Sequence, residues 1–292
     1  MRIPTILWLL AIMPSLSGPV FAAQDGPGDQ VHALRVGVFP RRAATESQLM
    51  LQPLTAYLSS RLHMPVTLSA PADYPAFWSA VENDSFDLVH YNQYHYIRAH
   101  KIFGHRLVAR NREQGRDDIR AAILVRADSP LLSLDDLHGR KVLFGGGRSA
   151  MVSYVLTVDL LRRSGLDDGD YISEFAQNPP KAVTAMYYGQ GDAAAASRLV
   201  LTSPGLAPEI RDRGRLRELA STDPIPQLPW AVSRSIPEPL RKNISSALLD
   251  LSTTDAGREI LRQLQIDGFS PAEDTDYDGV RALVARVLGE RY

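Results

Sequence analysis

The chain has 292 residues, no cysteine, and a formal net charge of −1 from 32 Lys plus Arg against 33 Asp plus Glu. That balance argues against a nucleic-acid or membrane-surface protein, and the missing thiol excludes disulfides, thiolate metal sites, a cysteine nucleophile and a lipid-anchor cysteine. With 45% hydrophobic residues the chain can bury a full core, and its length suits one large or two modest domains.

Residues 1–22 read as a secretory signal peptide. Arg2 supplies positive charge, residues 3–13 are apolar except for Pro4 and Thr5, and Val20-Phe21-Ala22 fits a small-x-small cleavage site. The run is too short to span a membrane, so the mature chain is expected to be exported and, most simply, periplasmic. Residues 23–33 form a polar, Gly-rich leader expected to be disordered. A strand is then expected over 34–39, ended by Pro40, followed by a helix over 46–62 with Leu49, Leu51, Leu54, Tyr57, Leu58 and Leu62 on one apolar face. A strand over 66–69, a helix over 74–81 and a strand over 86–90 complete a β-α-β-α-β series, the pattern of a parallel sheet covered by helices.

A second series follows. Strands are expected over 119–126, 142–144, 171–175, 193–196 and 216–220, with helices over 133–137, 149–163 and 181–188. Residues 221–229 are Pro-rich and irregular, and 230–233 are extended. Helices over 237–251, 255–264 and 280–288 close the chain, with Pro237 and Pro239 at the start of the first. The expected class is α/β in two units, each a mainly parallel sheet flanked by helices, with the tail returning to the first unit. Ligands favour the carboxyl ends of parallel strands and the crevice between domains.

The glycine turn Gly145-Gly146-Gly147 joins a buried strand to a helix start. Such a turn points unpaired N–H groups at one spot, where the helix dipole favours negative charge. Arg148 adds a planar cationic fork and Ser149, at the expected N-cap, a hydroxyl. The segment suits an anion cradle and fits a plain strand-to-helix connection equally well. After the third strand, His90-Tyr91-Asn92-Gln93-Tyr94-His95-Tyr96 stands where ligands bind, and tyrosines offer an apolar face plus a hydroxyl. His90, His95, His100 and His105 recur every five residues, but steps of five on a helix diverge by about 140°. Metal pairs on helices prefer spacings of three or four, so no metal site and no cofactor are expected. Gly147-Arg148-Ser149-Ala150-Met151 lacks the closing glycine of a nucleophile elbow, and neither H-E-x-x-H nor a Walker loop occurs. Catalysis is therefore not expected.

Several ordered landmarks carry a family resemblance. These are Leu34-Arg-Val-Gly-Val-Phe-Pro40, Gln52-Pro53-Leu54 with Tyr57-Leu58, and Phe86-Asp87-Leu88-Val89 leading to Tyr96. Leu134 to Val142, Gly189-Gln-Gly-Asp192-Ala-Ala and Ser221-Thr-Asp223-Pro224-Ile-Pro226 follow. Over most of the mature chain the sequence resembles the PhnD-type periplasmic solute-binding proteins of phosphonate, phosphite and phosphate transporters. The resemblance implies a two-lobed periplasmic-binding-protein fold, type II-like, with lobe 1 at 34–122 and 224–292, lobe 2 at 123–223, and two crossover strands. It implies a receptor, a monomer and no enzyme, that closes by hinge motion on a small anion. Arg148, Ser149 and the loop N–H groups would hold the anion, Tyr91, Tyr94 and Tyr96 would close over it, and Asn178, Ser197 and Asp223 would stand near the cleft.

The family loop reads roughly F-G-D-P-x-S-T-S-G. Here Ala150 and Met151 replace two of its three hydroxyl residues and only Ser149 remains. A family histidine is replaced by Pro179. Each charge-assisted hydrogen bond lost costs about 1.5–3 kcal/mol of affinity, so a different grip is expected. The implied partner is the membrane permease of an ABC transporter. The alternative is a periplasmic sensing subunit that feeds a membrane histidine kinase or diguanylate cyclase.

Overall fold

The computed structural model describes residues 33–292 except 204 and 213. The expected signal peptide, and the expected leader up to residue 32, lie outside the described residues. The chain opens with β1 (Leu34–Val38), whose Leu34, Val36 and Val38 are buried. Helix α1 (Ala44–Leu62) buries Leu51, Leu54 and Leu58 on one stripe, the i, i+3, i+7 spacing of a core-facing helix. Leu49, expected on that face, points outward and is 73% exposed. After β2 (Val66–Ser69), α2 (Tyr74–Glu82) starts at Asp73, whose carboxylate accepts the Ala76 N–H at 2.8 Å. Strand β3 (Leu88–His90), α3 (Gln93–Phe103) and β4 (Arg106–Arg112) follow. Strand β4 has no counterpart in the sequence reading, because its three arginines mask the buried run Leu107-Val108-Ala109.

The chain then crosses through β5 (Asp118–Ile119) into β6 (Ala121–Arg126) and β7 (Lys141–Gly145). The expected helix over 149–163 is in fact a π-helical turn, Met151–Leu156, continued by α4 (Thr157–Arg163). Its N-cap is Ala150, not Ser149, and makes no side-chain capping bond. Strand β8 (Ile172–Ala176), α5 (Pro179–Tyr187), β9 (Ala193–Ser197), α6 (Pro208–Arg211) and β10 (Leu216–Ser221) complete this half. The return runs through β11 (Ile225–Pro226) to β12 (Pro229–Val232), α7 (Glu238–Leu249), α8 (Asp255–Leu264), β13 (Gly268–Ser270) and α9 (Asp278–Leu288).

These elements build the expected two-lobed α/β architecture. One sheet has the order β13-β4-β12-β3-β1-β2 and the other β10-β6-β9-β7-β8. Each is mixed rather than mainly parallel. The pairs β1–β2, β1–β3, β7–β8 and β7–β9 are parallel, whereas β12 and β6, the strands that leave the crossovers, run antiparallel to their neighbours. A strand that enters directly from the other sheet, without a helical return, is free to lie antiparallel. The crossovers pair with each other, Ile225 opposite Ile119 and Pro226 opposite Asp118.

One core lies behind the first sheet under α1, α7 and α8, and another behind the second under α5. The third unites both halves: Phe77, Tyr91 and Tyr96 join Phe144, Tyr154 and Val158 through Tyr277, Val280 and Leu283. Helix α9 is its keystone, packed on α3 on one side and on the π turn and α4 on the other. Arg286 Nε donates to Asp159 Oδ1 at 2.8 Å, with Asp159 only 8% exposed at its side chain.

Candidate functional site

A cavity of about 180 Å³ lies between the two sheets. It sits beyond the carboxyl ends of β1, β3, β7, β8 and β9, where the rule for α/β sheets places ligands. The first half contributes Phe39 and Arg41 after β1, Tyr74 at the start of α2, Asn92 and Gln93 at the start of α3, and Glu113. The second contributes Gly145, residues 150–153, Asn178 and Ser197.

Helix starts converge here, but they differ in what they can donate. Asn92 Oδ1 takes the His95 N–H at 2.8 Å, leaving the Gln93 and Tyr94 N–H groups without an intrahelical acceptor. At the π turn, Ala150 offers no capping side chain, so the Met151, Val152 and Ser153 N–H groups are likewise without one. The Ser153 hydroxyl is spent on the Gly145 carbonyl. Helix α5 has little to give. Pro179 and Pro180 carry no N–H, Asn178 Oδ1 takes the Lys181 N–H at 3.0 Å, and the Asn178 carbonyl takes that of Ala182. Ser197 Oγ accepts the Leu199 N–H at 3.2 Å, which leaves its hydroxyl hydrogen free to donate.

The strand-to-helix glycine loop meets the cavity only in part. Gly145 and Gly146 line it; Arg148 and Ser149 do not. Arg148 is exposed, its guanidinium 5.7 Å from the Tyr154 ring. Ser149 contributes its carbonyl, which accepts from Asn92 Nδ2 at 3.1 Å and so bonds one half of the molecule to the other. The cations at the cavity are instead Arg41 and Arg42, from the loop after β1. Arg41 Nη1 stands 3.6 Å from Glu113 Oε1, a loose pair. Arg42 is held tightly, by Glu46 at 2.8 Å and Gln265 at 2.9 Å, and burial together with Arg41 lowers its pKa.

Tyr91, Tyr94 and Tyr96 do not line the cavity. Their hydroxyls bond His105 Nδ1 at 3.0 Å, Glu290 at 2.7 Å and Asp274 at 2.6 Å. The whole first turn of α3 is buried between neighbouring elements, so these rings fill the core and their hydroxyls find partners there. Burial raises the pKa of all three. The tyrosine that does face the cavity is Tyr74, stacked on His95 at 5.0 Å, its hydroxyl pushed up to about 12 by burial. Asn178 and Ser197 line the cavity as expected; Asp223 is 87% exposed outside it, 3.4 Å from Arg163. Arg41 and Tyr74 went unnoticed in the sequence. The rule that singled out the end of β3 applies equally to the end of β1 and would have found Phe39-Pro40-Arg41-Arg42.

Three of the recurrent histidines, His90, His95 and His105, are buried in the core, whereas His100 is half-buried with Nδ1 bonded to the His105 carbonyl at 2.8 Å. His90 stacks on Trp230 at 4.4 Å, and burial pushes His95 down to about 3 and His105 to about 4, so these imidazoles are neutral. Among the described residues no helix is long and apolar enough to cross a membrane.

Fold and cleft together define a two-lobed ligand receptor of the α/β class. Residues 36–277 match the periplasmic substrate-binding proteins of phosphonate ABC transporters, and the chain belongs to that family. Membership makes it a periplasmic transport receptor and favours capture for transport over the sensing alternative. The fold is shared with PhnD1 from Prochlorococcus marinus in complex with methylphosphonate, at 16% identity over 89% of this chain and 100% of that one, TM-score 0.78. It is also shared with XAC2383 from Xanthomonas citri bound to ATP (18% identity, 88% and 97% covered, TM-score 0.73). A binding protein component of an ABC phosphonate transporter from Pseudomonas aeruginosa has 15% identity, 88% and 86% coverage and a TM-score of 0.75.

Proposed function

We propose that the mature chain, released by cleavage of residues 1–22 and acting as a monomer, captures a small phosphonate- or phosphate-like anion in the interlobe cavity for the permease of an ABC transporter. Residues 34–122 with 224–292, and 123–223, then move as two lobes about the β5–β11 crossover. The observation that carries this reading is the convergence, from both sheets, of Arg41 and the free N–H groups of the α3 and π-turn starts on one cavity. The grip differs from the family's serine and threonine hydroxyls. Backbone donors of Met151, Val152 and Ser153 replace them, Arg41 supplies the charge, and Tyr74, Asn178 and Ser197 add single donors.

Titration calorimetry of the mature chain with methylphosphonate and with inorganic phosphate tests this. Binding of at least one is expected, and Arg41→Ala should weaken it by about 10- to 100-fold, the value of one charge-assisted hydrogen bond. Arg148→Ala, which alters an exposed residue outside the cavity, should change affinity by less than about twofold. No heat with either anion, or the reverse ranking of the two variants, would sink the reading.

A further inference from the structure

A carboxylate stands where the anion is expected. Glu113 follows β4 and lines the interlobe cavity beside Arg41, with only 7% of its side chain exposed. Its backbone is fixed. The Glu113 N–H donates to the Arg116 carbonyl at 2.8 Å, and the Arg116 N–H returns to the Glu113 carbonyl at 3.1 Å. Gln114 and Gly115 turn between them at positive φ, as a tight hairpin turn requires, and the Gly115 N–H is held by Asp267. The carboxylate itself is less committed. Asn111 Nδ2 donates to Oε1 at 3.2 Å, and Arg41 Nη1 comes no nearer to that same oxygen than 3.6 Å. Arginine–carboxylate pairs that brace this fold close to hydrogen-bond distance, as Arg110 does on Asp117 at 2.6 Å and Arg35 on Asp87 at 2.8 Å. Neither neighbour of Glu113 engages Oε2.

An oxyanion held by Arg41 brings its oxygens against this carboxylate, because both side chains line one cavity 3.6 Å apart. Two negative oxygens meeting in a cleft sheltered from water repel strongly. A proton between them reverses the sign and gives a short, charge-assisted O–H···O bond. An ionised carboxylate can only accept, so the hydrogen must come from the solute.

We propose that Glu113 selects the protonation state of the solute: it accepts the acidic O–H of a singly protonated oxyanion and excludes tetrahedral anions that carry no proton. The proposal rests on the anion-capture reading above and adds a selection rule to that site. The charged groups facing Glu113 from neighbouring elements are Arg41 and Arg42, on the loop after β1, and both stay cationic. Beyond them, Glu46 is bonded to Arg42 and Asp267 to the Gly115 N–H. Tyr74, pushed up to about 12, and His90, held well below its ordinary value, keep one charge state from about pH 6.5 to pH 8.5. In that window the solute is the group that titrates.

Calorimetry with methylphosphonate and methanesulfonate, tetrahedral anions of the same shape, tests this. At about pH 6.5 the wild type should prefer methylphosphonate by at least about 100-fold, since a site built for a hydroxyl rejects the analogue without one. Glu113→Gln, whose amide can donate, should bind methanesulfonate at least about tenfold tighter than the wild type does and cut the preference below about tenfold. At about pH 8.5 the wild type should take up about one proton per methylphosphonate bound, read from the heats in buffers of different ionisation enthalpy, and Glu113→Gln close to none. If that variant fails to melt cooperatively, Glu113→Ala takes its place. Equal binding of the two anions by the wild type overturns the role of Glu113 and leaves anion capture standing. So does a preference, or a proton uptake, that persists in the variant. Failure of both methylphosphonate and inorganic phosphate to bind the wild type overturns anion capture itself.

Discussion

Acidification from pH 7.5 to pH 5 is expected to destabilise this protein steeply, by about 2 kcal/mol for each buried neutral imidazole. Burial holds His95 at about 3, His105 at about 4 and His90 well below its ordinary value. The unfolded chain, with histidines near 6.5, therefore takes up protons first. Their contribution is complete above about pH 6.5 and is lost as pH falls toward the folded values. Urea unfolding at the two pH values checks this in the wild type and in His95→Gln. The variant is less stable at pH 7.5 but should lose about 2 kcal/mol less on acidification. Equal losses would place the pH sensitivity elsewhere.

Gly145→Ala is the second large effect, a loss of about 3 kcal/mol from overpacking. An added Cβ would stand 2.3 Å from both Pro179 Cα and Pro179 N, and 2.6 Å from the Asn178 carbonyl carbon. All three are backbone atoms, so no rotamer change relieves the clash, and the start of α5 must move. The midpoint of thermal unfolding should drop by roughly 6–12 °C, and anion affinity should fall with it, because Asn178 and Pro179 line the cavity. Gly147→Ala, two residues along in open space, should change stability by less than about 0.5 kcal/mol. A Gly145→Ala protein as stable as Gly147→Ala would show that α5 is not docked against the β7 end in solution.

The contrast between these two glycines shows what the sequence could and could not say. The run Val142-Leu143-Phe144 followed by three glycines announces a buried strand and a tight exit, and both are present. It does not say which glycine is needed for close approach and which for the turn, because the element that approaches lies more than thirty residues downstream. The two α/β series and most helices are legible from periodicity and punctuation; the crossovers are legible only through the family resemblance. Strand β4 is not legible, since arginines interrupt its apolar run.

The tyrosines were harder still. Three in the span 91–96 suggested a ligand platform, yet the buried first turn of α3 turned them inward. A single tyrosine at the start of α2, with no motif around it, faces the cavity. Arg148 and Arg41 present the same difficulty: both follow a strand end, and only tertiary packing decides which one turns into the cleft.

Helix α9 gives the molecule one more property. It is wedged against α3 and against the π turn and α4, and is pinned to Asp159 by Arg286. The lobe movement proposed above would slide this helix along one of its two beds. Part of the free-energy gap between unliganded and liganded shapes would thus be set at α9, none of whose residues line the cavity. Apparent affinity scales with the fraction of molecules already in the competent shape. Loosening or tightening α9 would therefore rescale the response to every ligand by a common factor and leave the order of preference among them untouched.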